Sequence, residues 1–142
     1  MTILSGILSL QDDYSPPAAM IEYIKENLSR NSSDDILEYS NNKLYLAKID
    51  IGAFSESGII EDEESVVFLT GEPLLEDSKS TNYSRLEDCK KIKSALSNNN
   101  YEILKHARGV FSFVFYNKKR NQLILATDKL GIRPLYYVIT KE

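Results

Sequence analysis

The side chains best suited to catalysis are scarce in this sequence, which contains one cysteine, Cys89, and one histidine, His106. A nucleophilic thiol needs a neighbouring base or a positively charged setting that lowers its pKa. Cys89 instead shares the apolar face of a predicted helix with Leu86, Ile92 and Leu96, which indicates a structural thiol. His106 lies in a short polar helical stretch, which is more typical of a protein surface than of a catalytic site.

Several other classes of function are disfavoured by composition. The sequence has no glycine-rich loop of the spacing that binds phosphates, and its carboxylates are not spaced to bind a metal ion. Seventeen Lys and Arg residues face 21 Asp and Glu residues, so the net charge of -4 argues against nucleic-acid binding. No apolar run approaches the roughly 20 residues of a membrane span. The apolar start lacks a basic region, so it predicts a buried strand rather than a signal peptide, and a cytoplasmic protein.

The 142 residues suit one domain, residues 1–142, and the first half contains recognisable elements. Residues 2–10 are predicted to form a strand. Pro16 and Pro17 favour the first turn of a helix over 17–29, where apolar residues recur at helical spacing. A polar loop follows, and strands are predicted over 44–49 and over 65–70, the latter ending at Gly71.

The second half has the stronger patterns. Ser84 and Glu87 have the spacing of a capping box, which predicts the start of a helix, and 101–107 predicts a short helical piece. The strands 110–116 and 122–127 are apolar on both faces and flank a polar turn, so we expect a hairpin with 110–116 in the centre of its sheet. Such strands must be covered on both sides, which indicates an antiparallel sheet between a second sheet and a helix layer.

One segment carries a family resemblance. Gly109-Val-Phe-Ser-Phe-Val-Phe-Tyr116, then 123–126, then Asp128-Lys-Leu-Gly-Ile-Arg-Pro-Leu-Tyr-Tyr137 resembles the class II glutamine amidotransferase domain of asparagine synthetases. The family runs Gly-x-Phe-Ala-Phe, a turn, a second strand, then Arg-Asp-x-x-Gly-x-x-Pro-Leu-Tyr, and Thr127 departs from it where Arg is usual. Asp128, Gly131 and Pro134 suit turn and strand-entry positions, so the motif supports the fold more than the activity.

The resemblance implies an α+β fold, the four-layer αββα sandwich of antiparallel sheets of the N-terminal-nucleophile (Ntn) hydrolases. It also implies glutamine hydrolysis, in which an N-terminal Cys exposed by Met removal attacks the side-chain amide with its own α-amino group as base. An Asn side chain and a Gly N–H bind the oxyanion, while Arg and Asp bind the carboxylate and amino groups of glutamine. No cofactor is implied in this domain, since ATP and Mg²⁺ would belong to an associated synthetase domain.

Carried over by position, the nucleophile and oxyanion site are only partly present. Thr2 takes the place of the Cys and is a candidate nucleophile. The family's Asn-Gly-Glu segment appears as Thr70-Gly71-Glu72, so Gly71 is the candidate backbone donor and Thr70 stands where the Asn amide is expected.

The implied substrate-binding residues are also mixed. Asp88, before Cys89, matches the carboxylate that binds the amino group, and Glu72 is a second substrate-binding candidate. The carboxylate-binding Arg is replaced by Lys48, which offers a point charge without a planar fork. The family resemblance is strong over the last third, weaker over 65–96 and poor over 30–60.

Three hypotheses follow. The first is a degenerate amidotransferase domain with lost or impaired glutaminase activity, serving as scaffold or partner of an ATP-dependent amide-forming synthetase domain or subunit. The second is an active Ntn hydrolase acting on glutamine through Thr2, and the third is a binding module unrelated to amide transfer. The family's domain runs further, so the chain is expected to be a fragment, a stand-alone relative or one subunit of a split enzyme.

Overall fold

The computed structural model describes residues 3–11, 13–29, 31, 33–50, 56–75 and 84–140. The chain divides into two compact units, Met1–Ser57 and Gly58–Glu142. Antiparallel sheets and helices build both units, which confirms the α+β class and is consistent with the Ntn-hydrolase-like sandwich. Within the described residues, no helix is both long and apolar enough to cross a membrane.

The first unit is a three-stranded antiparallel sheet with one helix. Its strands are β1 (Ile3–Leu8), β2 (Ile36–Ser40) and β3 (Leu44–Ile49), in the order β1-β3-β2. Helix α1 (Ala18–Leu28) begins after Pro17 and packs against β1 and β3. All six residues of β3 are buried, as expected for a central strand. Strand β2 was not predicted; it is short, and two of its five residues, Glu38 and Ser40, are exposed.

The second unit is a four-stranded antiparallel sheet. It contains β4 (Ile59–Glu61), β5 (Ser65–Glu72), β6 (Val110–Asn117) and β7 (Gln122–Thr127), in the order β4-β5-β6-β7. Strand β6 therefore has a partner on each side, and its pairing with β7 brings Asn117 opposite Gln122. The predicted hairpin and the central position of 110–116 are both confirmed.

Helix α2 (Arg85–Ser97) covers one face of this sheet. The Ser84 hydroxyl accepts a hydrogen bond from the Glu87 backbone N–H at 3.2 Å, as the capping prediction requires. The helix packs against β4, β5 and β6. Its buried residues join the phenylalanines of β6 in one apolar core, which consists of Val67, Leu69, Cys89, Ile92, Leu96, Ala107, Phe111, Phe113 and Phe115. Cys89 is fully buried there, so its thiol is a core group, as predicted.

Two sequence predictions in this unit need correction. Strand β7 is not buried on both faces, since Leu125 is 39% exposed and Thr127 is also exposed. The reason is its position at the edge of the described sheet, beyond the strands against which α2 packs. Strand β5 also runs past its predicted end to Glu72, because Gly71 continues the pairing with β6. The stretch after α2 is a short 3-10 helix, Glu102–His106, with His106 exposed.

Candidate functional site

The structure places three of the predicted site residues together at the end of β5. Thr70, Gly71 and Glu72 pair with the first residues of β6, with Thr70 opposite Ser112 and Gly71 opposite Phe111. We call residues 70–72 the β5 site. The antiparallel register between β5 and β6, which only the folded sheet shows, brings these last residues of β5 beside the start of β6.

The hydroxyl group of Thr70 is engaged within the sheet. Thr70 is 3% exposed, and its Oγ1 lies 2.8 Å from the Ser112 Oγ. Thr70 Oγ1 is also placed to donate to the Ser112 carbonyl oxygen, at 3.3 Å. A buried hydroxyl with two partners at hydrogen-bonding distance is satisfied where it stands. The position that the resemblance assigns to an oxyanion-binding amide is therefore occupied by a group that bonds its neighbouring strand.

Gly71 is required by the backbone at this point. Its φ is +76°, a conformation that side chains resist. A Cβ at Gly71 would lie 2.1 Å from the Val110 carbonyl oxygen and 2.8 Å from the Nε of Arg133. Gly109 opposes the same strand, and a Cβ there would lie 1.8 Å from the Glu72 carbonyl oxygen. The two glycines thus allow β5 and the start of β6 to approach closely.

Asp128 organises the turn that follows β7. Its carboxylate accepts hydrogen bonds from the backbone N–H groups of Leu130, Ile132 and Arg133 at 3.0 to 3.1 Å. Burial alone would raise the pKa of Asp128, but these backbone donors outweigh it and lower the pKa below its ordinary value. Gly131 takes a φ of +63° in the same turn. The family motif is thus a scaffold device, as the sequence indicated.

Asp88 and Glu72, the substrate-binding candidates of this unit, lie on different elements. Asp88 is in the first turn of α2, where the partial positive charge of a helix N-terminus favours a carboxylate, and it is 4% exposed. Glu72 is half-buried at the end of β5, against which α2 packs. Their roles in binding a substrate stay predictions.

Lys48 belongs to the first unit and is the fifth of the six residues of the buried strand β3. Its side chain is fully buried, and its ammonium group lies 3.2 Å from an Asp50 carboxylate oxygen. It also donates to the Ser57 carbonyl oxygen. A buried charge needs such partners, and here they come from the protein itself. Thr2, the candidate nucleophile, lies outside the described residues.

Sequence reasoning missed two residues at the β5 site, Ser112 and Arg133. Ser112 is the cross-strand partner of Thr70, and Arg133 lies against Gly71. Both fall inside the family motif, so the signal was present, but the pairing register was needed to interpret it. Across the described part of the chain, no group of three or more His, Cys, Asp or Glu side chains could hold a metal ion.

Comparison with known proteins agrees with the motif. A family model described as Glutamine amidotransferase domain matches residues 72–142. Probable asparagine synthetase (glutamine-hydrolyzing) of Dictyostelium discoideum is 31% identical over 113 residues, which is 74% of this chain and 20% of that protein. Asparagine synthetase (glutamine-hydrolyzing) 3 of Bacillus subtilis is 46% identical over 37 residues, which is 26% of this chain and 6% of that protein.

This chain is also similar to a protein that is named as an amidase. Amidase chry2 of Gibberella zeae is 36% identical over 52 residues, which is 37% of this chain and 8% of that protein. The matched segments thus span from 6% to 20% of the lengths of these three curated relatives. The family model begins at Glu72, the last residue of β5, and covers α2, β6, β7 and the Asp128 turn. The chain therefore belongs to the glutamine amidotransferase domain family, of the kind found in asparagine synthetases.

Proposed function

We propose that this chain is an amidotransferase domain whose glutaminase activity is lost or strongly impaired. The observation that carries the proposal is the buried Thr70 hydroxyl, which lies 2.8 Å from the Ser112 Oγ. Amide hydrolysis passes through an oxyanion, and the loss of one oxyanion donor costs about 10²–10³ in rate. A Thr side chain is also shorter than the Asn amide that the family resemblance implies at this position.

The proposal is also supported at the position that the resemblance assigns to binding of the substrate's carboxylate. The resemblance implies an Arg at the position of Lys48, and the Lys48 ammonium group is buried and paired with Asp50. Lys lacks the planar fork that binds a carboxylate through two hydrogen bonds. Thr2 adds a further loss, because a Thr hydroxyl has far less anion at neutral pH than a Cys thiol.

With hydrolysis impaired, the domain would act as scaffold or partner of an ATP-dependent amide-forming synthetase. This part rests on the names of the relatives, two of which are asparagine synthetases that extend far beyond the matched segments. ATP and Mg²⁺ would then be bound by the synthetase domain or subunit, and glutamine would be at most a weakly held ligand of this domain.

The test is release of glutamate and ammonia from glutamine by the purified protein, with removal of Met1 checked by mass spectrometry. We expect no measurable turnover. Turnover that disappears in Thr2→Ala would overturn the proposal and favour an active Ntn hydrolase that uses Thr2.

A gain-of-function series tests directly whether the residue at position 70 limits glutaminase activity. In a Thr2→Cys background, Thr70→Asn restores the amide donor, and Thr70→Ser is the matched control that keeps only a hydroxyl. We expect glutamate release to rise by up to about 10² to 10³ with Asn and to stay unchanged with Ser. Equal rates in the two variants would show that Thr70 is not where activity is lost.

A further inference from the structure

Strand β7 is an unprotected edge of the sheet in the second unit. Its sequence, Gln122-Leu-Ile-Leu-Ala-Thr127, contains no charged residue, proline or glycine. Charged side chains, prolines and very short length are the features by which edge strands usually avoid pairing with another chain. The other edge strand of the described sheet, β4, is only three residues long and ends at Glu61. Of these two edges, β7 is therefore the one suited to accept a further strand.

One row of backbone groups on β7 points away from β6. The Asp128 N–H donates to the Phe111 carbonyl oxygen at 2.9 Å, which continues the register of the two strands. In an antiparallel pair, residues that bond the neighbouring strand alternate with residues whose N–H and C=O groups point the other way. The backbone groups of Leu123, Leu125 and Thr127 therefore point to the free side of β7. No residue of β7 is buried, so this edge is open among the described residues.

The side chains of β7 are divided between the two faces of the strand. Ile124 and Ala126 pack against the apolar core that α2 and β6 form. Leu123, Leu125 and Thr127 are on the opposite face, because side chains alternate along a strand, and Leu125 is 39% exposed. An extended segment that bonds this edge would therefore meet apolar surface with its alternate side chains, as in other cases of strand addition.

The charges beside β7 indicate what kind of segment fits. Arg120 precedes the strand by two residues and Lys129 follows it by two, and both are exposed. Arg120 donates to the Asn99 side-chain oxygen and Lys129 to the Lys105 carbonyl oxygen, and both acceptors are uncharged. Within the described residues, neither Arg120 nor Lys129 forms an ion pair. The open edge thus lies between two cations that are not paired with a carboxylate.

We propose that β7 binds an extended apolar segment of another protein by strand addition, and that acidic residues at the two ends of that segment pair with Arg120 and Lys129. The same two charges disfavour a second copy of β7 as the occupant. A centred antiparallel pairing of two β7 strands would place Arg120 of one copy beside Lys129 of the other, and like charges at opposite positions are destabilising. The inference goes beyond the proposed function, because β7 is separate from the β5 site and strand addition requires no glutamine.

A synthetic peptide with an alternating Val-Thr core and Glu residues at both ends is the probe, and NMR-detected hydrogen exchange of the full chain is the measurement. We expect saturable binding that slows exchange of the Leu123, Leu125 and Thr127 amides. Exchange at Ile124 and Ala126 should change little, because their amides face β6. The same peptide with N-methylated core amides lacks its donors and should not bind, and a version with Lys ends should bind much more weakly.

Variants of the edge test the backbone and the charges separately. Leu125→Pro removes one outward N–H and no bond to β6, a change that edge strands tolerate, and Leu125→Ala is the matched control that keeps the N–H. We expect the peptide to bind Leu125→Pro roughly threefold to tenfold more weakly than Leu125→Ala. Arg120→Met and Lys129→Met should each weaken binding roughly twofold to fivefold, and more at low salt. Lys90→Met, which removes an exposed charge on α2, should leave binding unchanged.

The proposal is overturned if the outward amides of the free protein already exchange as slowly as those of Ile124 and Ala126, since the edge would then be covered within the chain. It is also overturned if the peptide slows none of them, or if the N-methylated or Lys-ended peptide binds equally well. A wild-type dimer that Leu125→Pro dissociates would identify a second copy as the occupant and would overturn it too. If Leu125→Pro does not fold, the N-methylated peptide decides. Glutamate release is measured separately, so failure here leaves the proposed function standing.

Discussion

Strand β6 with the Asp128 turn and the end of β5 are neighbours in one sheet, yet they match the family pattern to different degrees. Strand β6 and the turn have the glycines, phenylalanines and acidic residue of the motif, and each has a visible structural task. At the end of β5, Gly71 has its backbone task, while Thr70 stands where the resemblance implies an Asn and is bonded to Ser112. The residues with a visible structural task match the family pattern, and the position to which the resemblance assigns an oxyanion-binding amide has a different residue.

The largest loss of stability is expected from substitutions that remove core packing. Phe113 is fully buried and Phe111 is 3% exposed, and their rings stack with centroids 6.1 Å apart. Phe113→Ala or Phe111→Ala should each lower the free energy of unfolding by about 3–5 kcal/mol through the cavity that it leaves. Denaturant unfolding measures this, with Val110→Ala, at a 39% exposed position of the same strand, as the control. Unfolding midpoints equal to wild type for both Phe variants would show that these rings do not have the structural task assigned to them.

Gly71→Ala tests whether the glycine of the β5 site has a structural task. The positive φ alone costs on the order of 1–2 kcal/mol for a residue with a side chain, and the new Cβ would also clash with the Val110 carbonyl oxygen. Gly131→Ala is the matched control, because Gly131 has a φ of +63° and nothing within 4 Å of its Cβ position. The unfolding midpoint should fall further for Gly71→Ala, and equal losses would show that the close approach at the β5 site is unimportant.

Asp128→Asn tests the turn through its pH dependence. The folded-state pKa is lowered from 3.8, so the carboxylate stabilises the protein fully above that value and loses its contribution as the pH falls through the lower folded value. At pH 7 the variant should be less stable than wild type, by less than Gly71→Ala. Its stability should also change less between neutral and acidic pH. Parallel curves for variant and wild type would show that the backbone donors do not depend on this charge.

The smallest effect is expected at the loop before β5, which has no part in either region compared. Asp62 accepts from the Glu64 and Ser65 N–H groups at 2.9 Å and pairs with Lys93. Burial would raise the pKa of Asp62, but the Lys93 pair and these N–H groups outweigh it and bring the pKa to about 2. A double-mutant cycle with Asp62→Asn and Lys93→Met should give a coupling of about 0.2–1 kcal/mol, since the Asp62 side chain is 44% exposed. The coupling should fade as the pH falls from near 3.8 towards 2, and a larger value would place this loop among the structural determinants.

The elements that sequence predicted well are those with strong local patterns. The start of helix α1 after Pro17, the strand β3 and the β6–β7 hairpin follow from spacing within a few residues of chain. Strands β2 and β4 were missed because they are short, at five and three residues, and give too few residues for a pattern to be recognised. Leu125 was placed in a covered face, and only the sheet order shows that its strand is at the edge.

The sequence by itself determined the family, the hairpin, the Asp128 turn and the position of Thr70 in a segment where an amide is expected. The tertiary structure decided what each of these side chains touches. The Thr70 hydroxyl is hydrogen-bonded to Ser112, a residue 42 positions away. Arg133 lies against Gly71, and its Nε has no acceptor among the described residues. Such contacts depend on the register between strands that are distant in sequence. The hydrophobic pattern decides which face of a strand is buried, but it does not identify the cross-strand partner of a residue 42 positions away.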